Sequence, residues 1–379
     1  MNPPSQQSSP SPSWGKPPWE IRFRPKASPL PRHVNVAVLG AGFTGLSTAA
    51  WLRNLDPTCS VALLEAGHIG AGASGRTGGM VLAESAAGDL PGLGDVLSGV
   101  RATLETLGVN CDLSLPGAWE IGRNGGRADS PIDWRDSGLL RVVAEVPGGT
   151  VHPGKLVAGL ARAAELLGAA IYERTPFSNI TFGNPIRIGT LRGSLLADHV
   201  LFATNAQELE AVNIANISEP KFTLAVKTAP LSPTQLREIG LVDRKPFYTV
   251  DLPYLWGRVT PDGGIIFGGG LLHPQSWRKL FSIDVRMGEA RKLFALLVGR
   301  IHALHPVLRS VRTTHRWGGP ILFTDGARPI FSYHPQNPRA IVLGGYSGHG
   351  VALSVYLGRW AAEAILKLRA IPAWSSLSG

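Results

Sequence analysis

Six residues near the start of the chain, Gly40-Ala41-Gly42-Phe43-Thr44-Gly45, have the spacing with which a main chain binds a diphosphate. They follow an apolar run at 34–39 and open an apolar stretch expected as a helix over 44–53. The first glycine permits a tight turn, the second lets a pyrophosphate approach the backbone, and the third lets helix and strand pack closely. The helix N-terminus adds amide donors and partial positive charge. A second apolar run, Val61–Leu64, ends at Glu65, twenty residues after Gly45, where a carboxylate can accept from both ribose hydroxyls. An acid at that place disfavours a 2′-phosphate, which leaves NAD and FAD.

The residues after Glu65 and Ala66 separate these two. Gly70-Ala71-Gly72-Ala73-Ser74-Gly75-Arg76-Thr77-Gly78-Gly79, followed by Met80, is a second small-residue run, better explained by backbone wrapping a large cofactor than by a surface loop. Near the other end, Gly344-Gly345-Tyr346-Ser347-Gly348-His349-Gly350 again places a glycine turn between an apolar run and a helix start.

The elements that would position these turns alternate. Strand, helix 44–53 and strand form a βαβ unit; 153–168 reads as a helix with Pro at its start and Gly at its end, followed by a strand near 170–173. Another short buried strand is expected at 200–203. Residues 289–304 space their apolar side chains by three and four, an amphipathic helix stopped by Pro306. The fold class is α/β. Two charge-free stretches, 34–52 and 340–358, are long enough to span a bilayer, but the glycines at their centres make each a strand, turn and buried helix. No membrane segment is expected.

Composition narrows the classes. With 379 residues, 44% hydrophobic and 17% charged, the chain can bury a core and exceeds the size at which one core stops growing, so two lobes are expected. Two cysteines, Cys59 and Cys111, suit a reducing, cytoplasmic compartment and offer no metal-ligand spacing; no metal is expected. The net charge of +10 sits in two segments, +4 within 1–32 and +6 within 286–316, and the remainder is neutral. The +6 segment is most simply a solvated helix face, and any functional meaning would be attraction of a carboxylate-bearing substrate. The Pro- and Ser-rich residues 1–32 read as an extended or disordered tail, and Trp14, Trp19 and Phe23 leave open that part of it lies across the folded body.

Taken in order, VAVLGAGFTGLS, LLEAGHIGAGASGRTGG, GGTVHPGKLVAGL, ADHVLFATNA, GGIIFGGG, RWGG with FTDGARPIF, and GGYSGHGVALSVYLGR give the chain its likeness over roughly 33–370. It resembles the D-amino acid oxidase superfamily of FAD-dependent oxidoreductases, within it most the gamma-glutamylputrescine oxidoreductase and glycine–sarcosine oxidase-like branch. The resemblance implies a discontinuous, glutathione-reductase-like FAD domain (33–88, 147–215 and 315–372) and an α+β substrate domain with an antiparallel sheet (89–146 and 216–314). It also implies that Gly40, Ala41, Gly42, Phe43, Thr44, Gly45, Glu65 and Ala66 hold the ADP half of FAD. Gly72, Ala73, Ser74, Gly75, Arg76, Gly78, Gly79 and Met80 would lie along the pyrophosphate and isoalloxazine. Phe177 would meet the adenine, and Thr204 and Asn205 would approach from another side. Gly345, Tyr346, Ser347, Gly348, His349 and Gly350 would face the flavin, where a helix N-terminus stabilises the charge that develops on reduction.

The implied reaction is oxidation of a primary or secondary amine or amino acid: hydride passes to flavin N5, the imine hydrolyses, and dioxygen or another acceptor reoxidises the flavin. Tyr254, Trp256, Arg258 and Tyr346 are the substrate-side candidates, an aromatic wall for the amine and an arginine for a carboxylate; His349 completes the set as a donor to the flavin. The chain departs from relatives in four respects. It has no cysteine after Cys111 and no His within GASGRTGGM, so FAD is expected to be noncovalent. Phe267-Gly268-Gly269-Gly270 stands where sarcosine oxidases carry an oxygen-activating lysine, which leaves oxidase and dehydrogenase open. Thr77 replaces an Asn, and 118–150 is shortened. Two other readings compete: an RNA-modifying flavoenzyme of the same superfamily, for which the basic segments are the motive although nucleic acid is not expected as a partner, and a flavin-binding protein without turnover.

Overall fold

A computed structural model describes residues 13–375 except Asn124. Residues 1–12 of the expected tail lie outside the described residues.

The buried runs at His33–Leu39 and Val61–Leu64 pair in parallel, with the helix Phe43–Leu55 crossing between them. This βαβ unit sits inside an eight-stranded sheet whose main path runs Ile330–His334, Asn337–Gly344, Gly193–Phe202, His33–Leu39, Val61–Leu64, Ala170–Tyr172. The last five are parallel to one another. Side chains alternate along the central strand: Val36 and Val38 join one hydrophobic cluster with the helices Phe43–Leu55, Pro153–Leu166 and Gly350–Ile365, while Ala37 and Leu39 join the cluster on the opposite face. The two charge-free stretches are strand–turn–helix units of this sheet, and no helix among the described residues is long and apolar enough to cross a membrane.

The second sheet also has eight strands, in the order Thr313–Thr324, Ser218–Thr228, Ile265–Leu272, Trp256–Val259, Phe247–Thr249, Ala118–Gly122, Leu139–Val146, Trp134–Arg135. It is antiparallel apart from the pair Phe247–Thr249 with Ala118–Gly122. The amphipathic helix, Gly288–Leu304, packs on this sheet through Ala290, Phe294, Leu297, Ile301 and Leu304. One boundary expected from sequence cuts across an element, and one helix packs with the other sheet's layer. Residue 315 falls inside a strand of the second sheet, and the helix Val96–Thr106, from the segment assigned to the substrate lobe, packs on Gly350–Ile365 of the first-sheet layer.

Candidate functional site

A cleft of about 700 Å³ takes lining from both sheets. Its first wall is the turn after the central strand. Gly40 has φ +108°, and a Cβ there would lie 2.5 Å from the Ala203 carbonyl oxygen, so only glycine fits. A Cβ on Gly42 would come within 2.8 Å of Ser74 Oγ, which itself accepts from Phe43 N at 2.9 Å and so ties the second glycine loop to the helix start. Gly42 gives the helix Phe43–Leu55 no side-chain cap, so beyond Phe43 N the first-turn donors are left to a ligand. The two carboxylate oxygens of Glu65 accept from Ala41 N (2.9 Å) and Gly67 N (2.8 Å), and burial pushes its carboxyl above the ordinary range against the pull of those bonds.

The C-terminal turn closes the same cleft. Asn205, Gly345, Ser347 and Gly348 all have positive φ, which lets two segments of main chain meet closely. Asn205 Oδ1 accepts from Gly345 N at 3.2 Å, and Ser347 N donates to Leu322 O at 3.1 Å, so the turn is anchored to both sheets. His349 stands at the N-terminus of Gly350–Ile365 and makes no side-chain capping bond; its Nδ1 is buried without a partner. Burial holds its pKa below 6.5, so the ring is neutral at neutral pH.

The opposite wall belongs to the second sheet. Trp256 lies against Gly78 and Gly268, and a Cβ on either glycine would run into its ring. These two glycines exist to admit the indole. Trp317 donates from its indole N–H to the Arg76 carbonyl at 2.8 Å, fastening the 70–79 loop to this sheet. Tyr248 donates to Glu120 Oε1 at 2.8 Å. The loop carrying Tyr254, which is 55% exposed, is held from beneath: Arg300 donates to the Tyr254 and Pro253 carbonyls at 2.9 Å, and Asp136 pairs with both Arg123 and Arg300. Burial raises the Asp136 carboxyl, but the two guanidiniums outweigh it and leave the pKa below the ordinary value.

Most residues singled out from sequence line the cleft: Gly40, Ala41, Gly42, Phe43, Thr44, Glu65, Ala66, Gly72, Ala73, Ser74, Arg76, Gly78, Met80, Phe177, Thr204, Asn205, Tyr346, Ser347, Gly348, His349, Gly350, Tyr254 and Trp256. Gly45, Gly75, Gly79 and Gly345 do not. Gly45 packs on the Gly40 carbonyl, Gly75 on that of Gly70, Gly79 on that of Val151, and Gly345 beneath the Thr324 methyl, so they shape the turns from behind. Two substrate-side candidates have polar partners that the sequence does not show. Arg258 is 6% exposed, lies off the cleft lining and donates through Nε to the Gly78 carbonyl, so it props the 70–79 loop instead of standing free as a carboxylate clamp. Burial brings its pKa down to about 10. Tyr346 lines the cleft, and its hydroxyl hydrogen-bonds with Thr44 Oγ1 at 2.7 Å, joining the two helix starts. Nor is Arg300 part of a solvated face. Tyr248 and Trp317 were missed: no local pattern marks Tyr248, whose partner lies 128 residues away. The sole hint for Trp317 was its place in RWGG.

Three observations fit the cleft to FAD: a cradle that a Cβ would fill, a Glu65 carboxylate at the strand end, and the orphaned Nδ1 of His349. The comparisons agree. The family model for DAO, FAD dependent oxidoreductase, matches residues 35–364. Gamma-glutamylputrescine oxidoreductase of Escherichia coli (strain K12) is 27% identical over 372 residues, spanning 87% of this chain and 83% of the relative. A probable oxidoreductase, OrdL, of Rhizobium meliloti (strain 1021) is 28% identical over 390 residues, 89% and 84% respectively. Among solved structures, glycine oxidase from Geobacillus kaustophilus superposes with a TM-score of 0.71 at 20% identity, covering 92% of this chain and 99% of that one, which speaks for the fold. With the match running through both sheets and every turn of the cleft, the chain belongs to the DAO family of FAD-dependent oxidoreductases.

Proposed function

We propose that this chain oxidises a primary or secondary amine or an amino acid, with noncovalent FAD as the immediate acceptor. The observation that carries this reading is the continuity of one cleft from the Gly40–Gly45 turn, past His349, to the aromatic wall of Trp256, Tyr254 and Tyr248. The names of the relatives, gamma-glutamylputrescine oxidoreductase and glycine oxidase, suggest the same substrate classes. When bound, FAD supplies a two-electron acceptor for the hydride on the carbon beside nitrogen; the nitrogen lone pair forms the C=N bond, its proton leaves to water, and hydrolysis gives the carbonyl product.

The chain's own residues bind and orient. The first sheet, with its helices and three turns, serves as the FAD domain, and the second sheet as the substrate domain. Trp256 and Tyr248 hold the amine by their ring faces, and Trp317, Arg258 and Ser74 fix the loop between the two ligands. His349, neutral, offers its unpartnered Nδ1 to the polar edge of the flavin. Neither cysteine lines the cleft, in keeping with noncovalent binding; burial pushes the Cys59 thiol to about 11 and the Cys111 thiol to about 12.

The test is a visible spectrum of the purified protein, followed by anaerobic bleaching with a panel of polyamines, N-methyl amino acids and D-amino acids. Bleaching by an amine, with peroxide on readmitting air, is the expected result; bleaching without peroxide marks a dehydrogenase. A yellow protein that no amine bleaches overturns the substrate assignment, and salt-sensitive retention on tRNA moves it to RNA.

A further inference from the structure

Residues 13–30 carry contacts that the reaction does not account for. Trp14 is 1% exposed, donates its indole N–H to the Leu280 carbonyl at 2.9 Å, and packs between Phe222 and Phe281. Its carbonyl accepts from Gly318 N at 2.8 Å, so this segment is anchored in the second sheet. Gly15 follows at φ +74°, with the Trp317 Cα 2.9 Å from where its Cβ would stand, and bridges to Trp317. A few residues on, Trp19 donates its indole N–H to the Gly75 carbonyl at 2.8 Å and meets Trp317 edge-on. Ile21 covers Gly70 and Gly75: a Cβ on either would strike its Cδ1. The far end is fixed as well, by Lys26 N donating to Glu165 and by the Tyr172 hydroxyl donating to the Pro29 carbonyl.

Arg76 is the meeting point. Its guanidinium donates to the carbonyls of Gly15 (2.8 Å), Trp14 (3.4 Å), Gly318 (3.3 Å) and Ala71 (3.2 Å), and lies 5.3 Å from the Trp14 ring. It pairs with no carboxylate among the described residues, and burial takes its pKa down to about 10. Two of those four carbonyls belong to the N-terminal segment.

We propose that residues 13–30 are a strap that forms the outer wall of the cofactor site, holding the 70–79 loop through Arg76 and Trp19 and thereby setting the affinity for FAD. The physical need is entropic. Five of the ten residues of the loop are glycine, so the loop has little means of ordering itself, and a ligand that had to order it would bind more weakly. The strap orders it beforehand from the side away from the cleft. Trp14 and Trp19 are positioning residues and touch neither substrate nor cofactor. The inference rests on FAD occupying the cleft.

The test compares full-length protein with a deletion of residues 2–12, a deletion of 2–20, and Trp19→Phe, which keeps the ring and removes the bond to Gly75. After removal of FAD, its Kd is measured by flavin fluorescence, and hydrogen exchange is followed in 70–79. The 2–12 deletion is expected to match full length, the 2–20 deletion to raise Kd at least tenfold with faster exchange in the loop, and Trp19→Phe to raise it about threefold. If the longer deletion does not fold, Trp19→Phe decides alone. Unchanged Kd and exchange overturn the strap, as does a lower melting temperature with unchanged Kd, which would mean a stabilising segment only. A full-length protein that takes up no FAD overturns the cofactor assignment instead, and is distinguishable because every variant then fails alike.

Discussion

The two halves of the cleft are made of different material. The half proposed for FAD is mostly backbone: three glycine turns, two helix starts and amides, with Glu65 and Ser74 as the principal side-chain ties. The half proposed for the substrate is mostly side chain, with Trp256, Tyr248 and Tyr254 carried on strands and loops of a different sheet. The first is fixed by where a Cβ is forbidden, the second by which side chain is present. Substitutions should therefore separate binding of FAD from recognition of the amine.

The largest separation is expected from Gly40→Ala. A Cβ at φ +108°, facing the Ala203 carbonyl, must shift the turn, at a cost of about 2–4 kcal/mol through backbone strain and overpacking, so FAD affinity should fall by about 30- to 1000-fold by fluorescence titration. Unchanged affinity would remove the turn from the cofactor half. Gly268→Ala tests the other side. It drives the Trp256 ring from its seat at about 1–3 kcal/mol, which should lower kcat/KM about 5- to 150-fold while the flavin content of the purified protein stays at the wild-type ratio. Loss of flavin from this variant would mean that the halves are not separable.

Smaller effects sharpen the boundary. Trp256→Leu should raise KM for the amine about 3- to 10-fold, the size of one ring contact, with flavin absorbance unmoved. His349→Gln probes electrostatics through pH. The pKa of His349 in the folded protein lies below 6.5, so an unfolded chain takes up a proton that the folded chain refuses. Its contribution to stability is therefore full above about 6.5 and is lost as pH falls from there through the lower folded value. In denaturant titrations of the apoprotein at pH 7.5 and 5.5, the wild type should lose up to about 1 kcal/mol more than His349→Gln. A parallel loss in both would show that His349 protonates freely and is not sealed in the cleft.

What could be read in advance follows the same division. The turn at Gly40–Gly45, Glu65 and the Gly344–Gly350 run were legible because their geometry is local: each needs a strand, a glycine at a fixed offset and a helix, all within a few residues. Arg258 shows where that reading stops. Its type and its place beside Trp256 suited a carboxylate clamp, but the side chain turns under Gly78, a residue 180 positions earlier. The partner of the Tyr346 hydroxyl was out of reach for the same reason, since Thr44 lies 302 positions away.

By itself, then, the sequence determined the glycine turns between strand and helix, the alternation of strands and helices, and the placing of apolar stripes, since these depend on neighbours within one or two turns of chain. The tertiary structure decided which way Arg258 and Arg300 point, that Tyr248 and Trp317 join the cleft, and that Trp14 is buried in a segment of tail-like composition. Those outcomes depend on which distant strands become neighbours, and a buried guanidinium or indole takes whatever carbonyl the packing brings within hydrogen-bond reach.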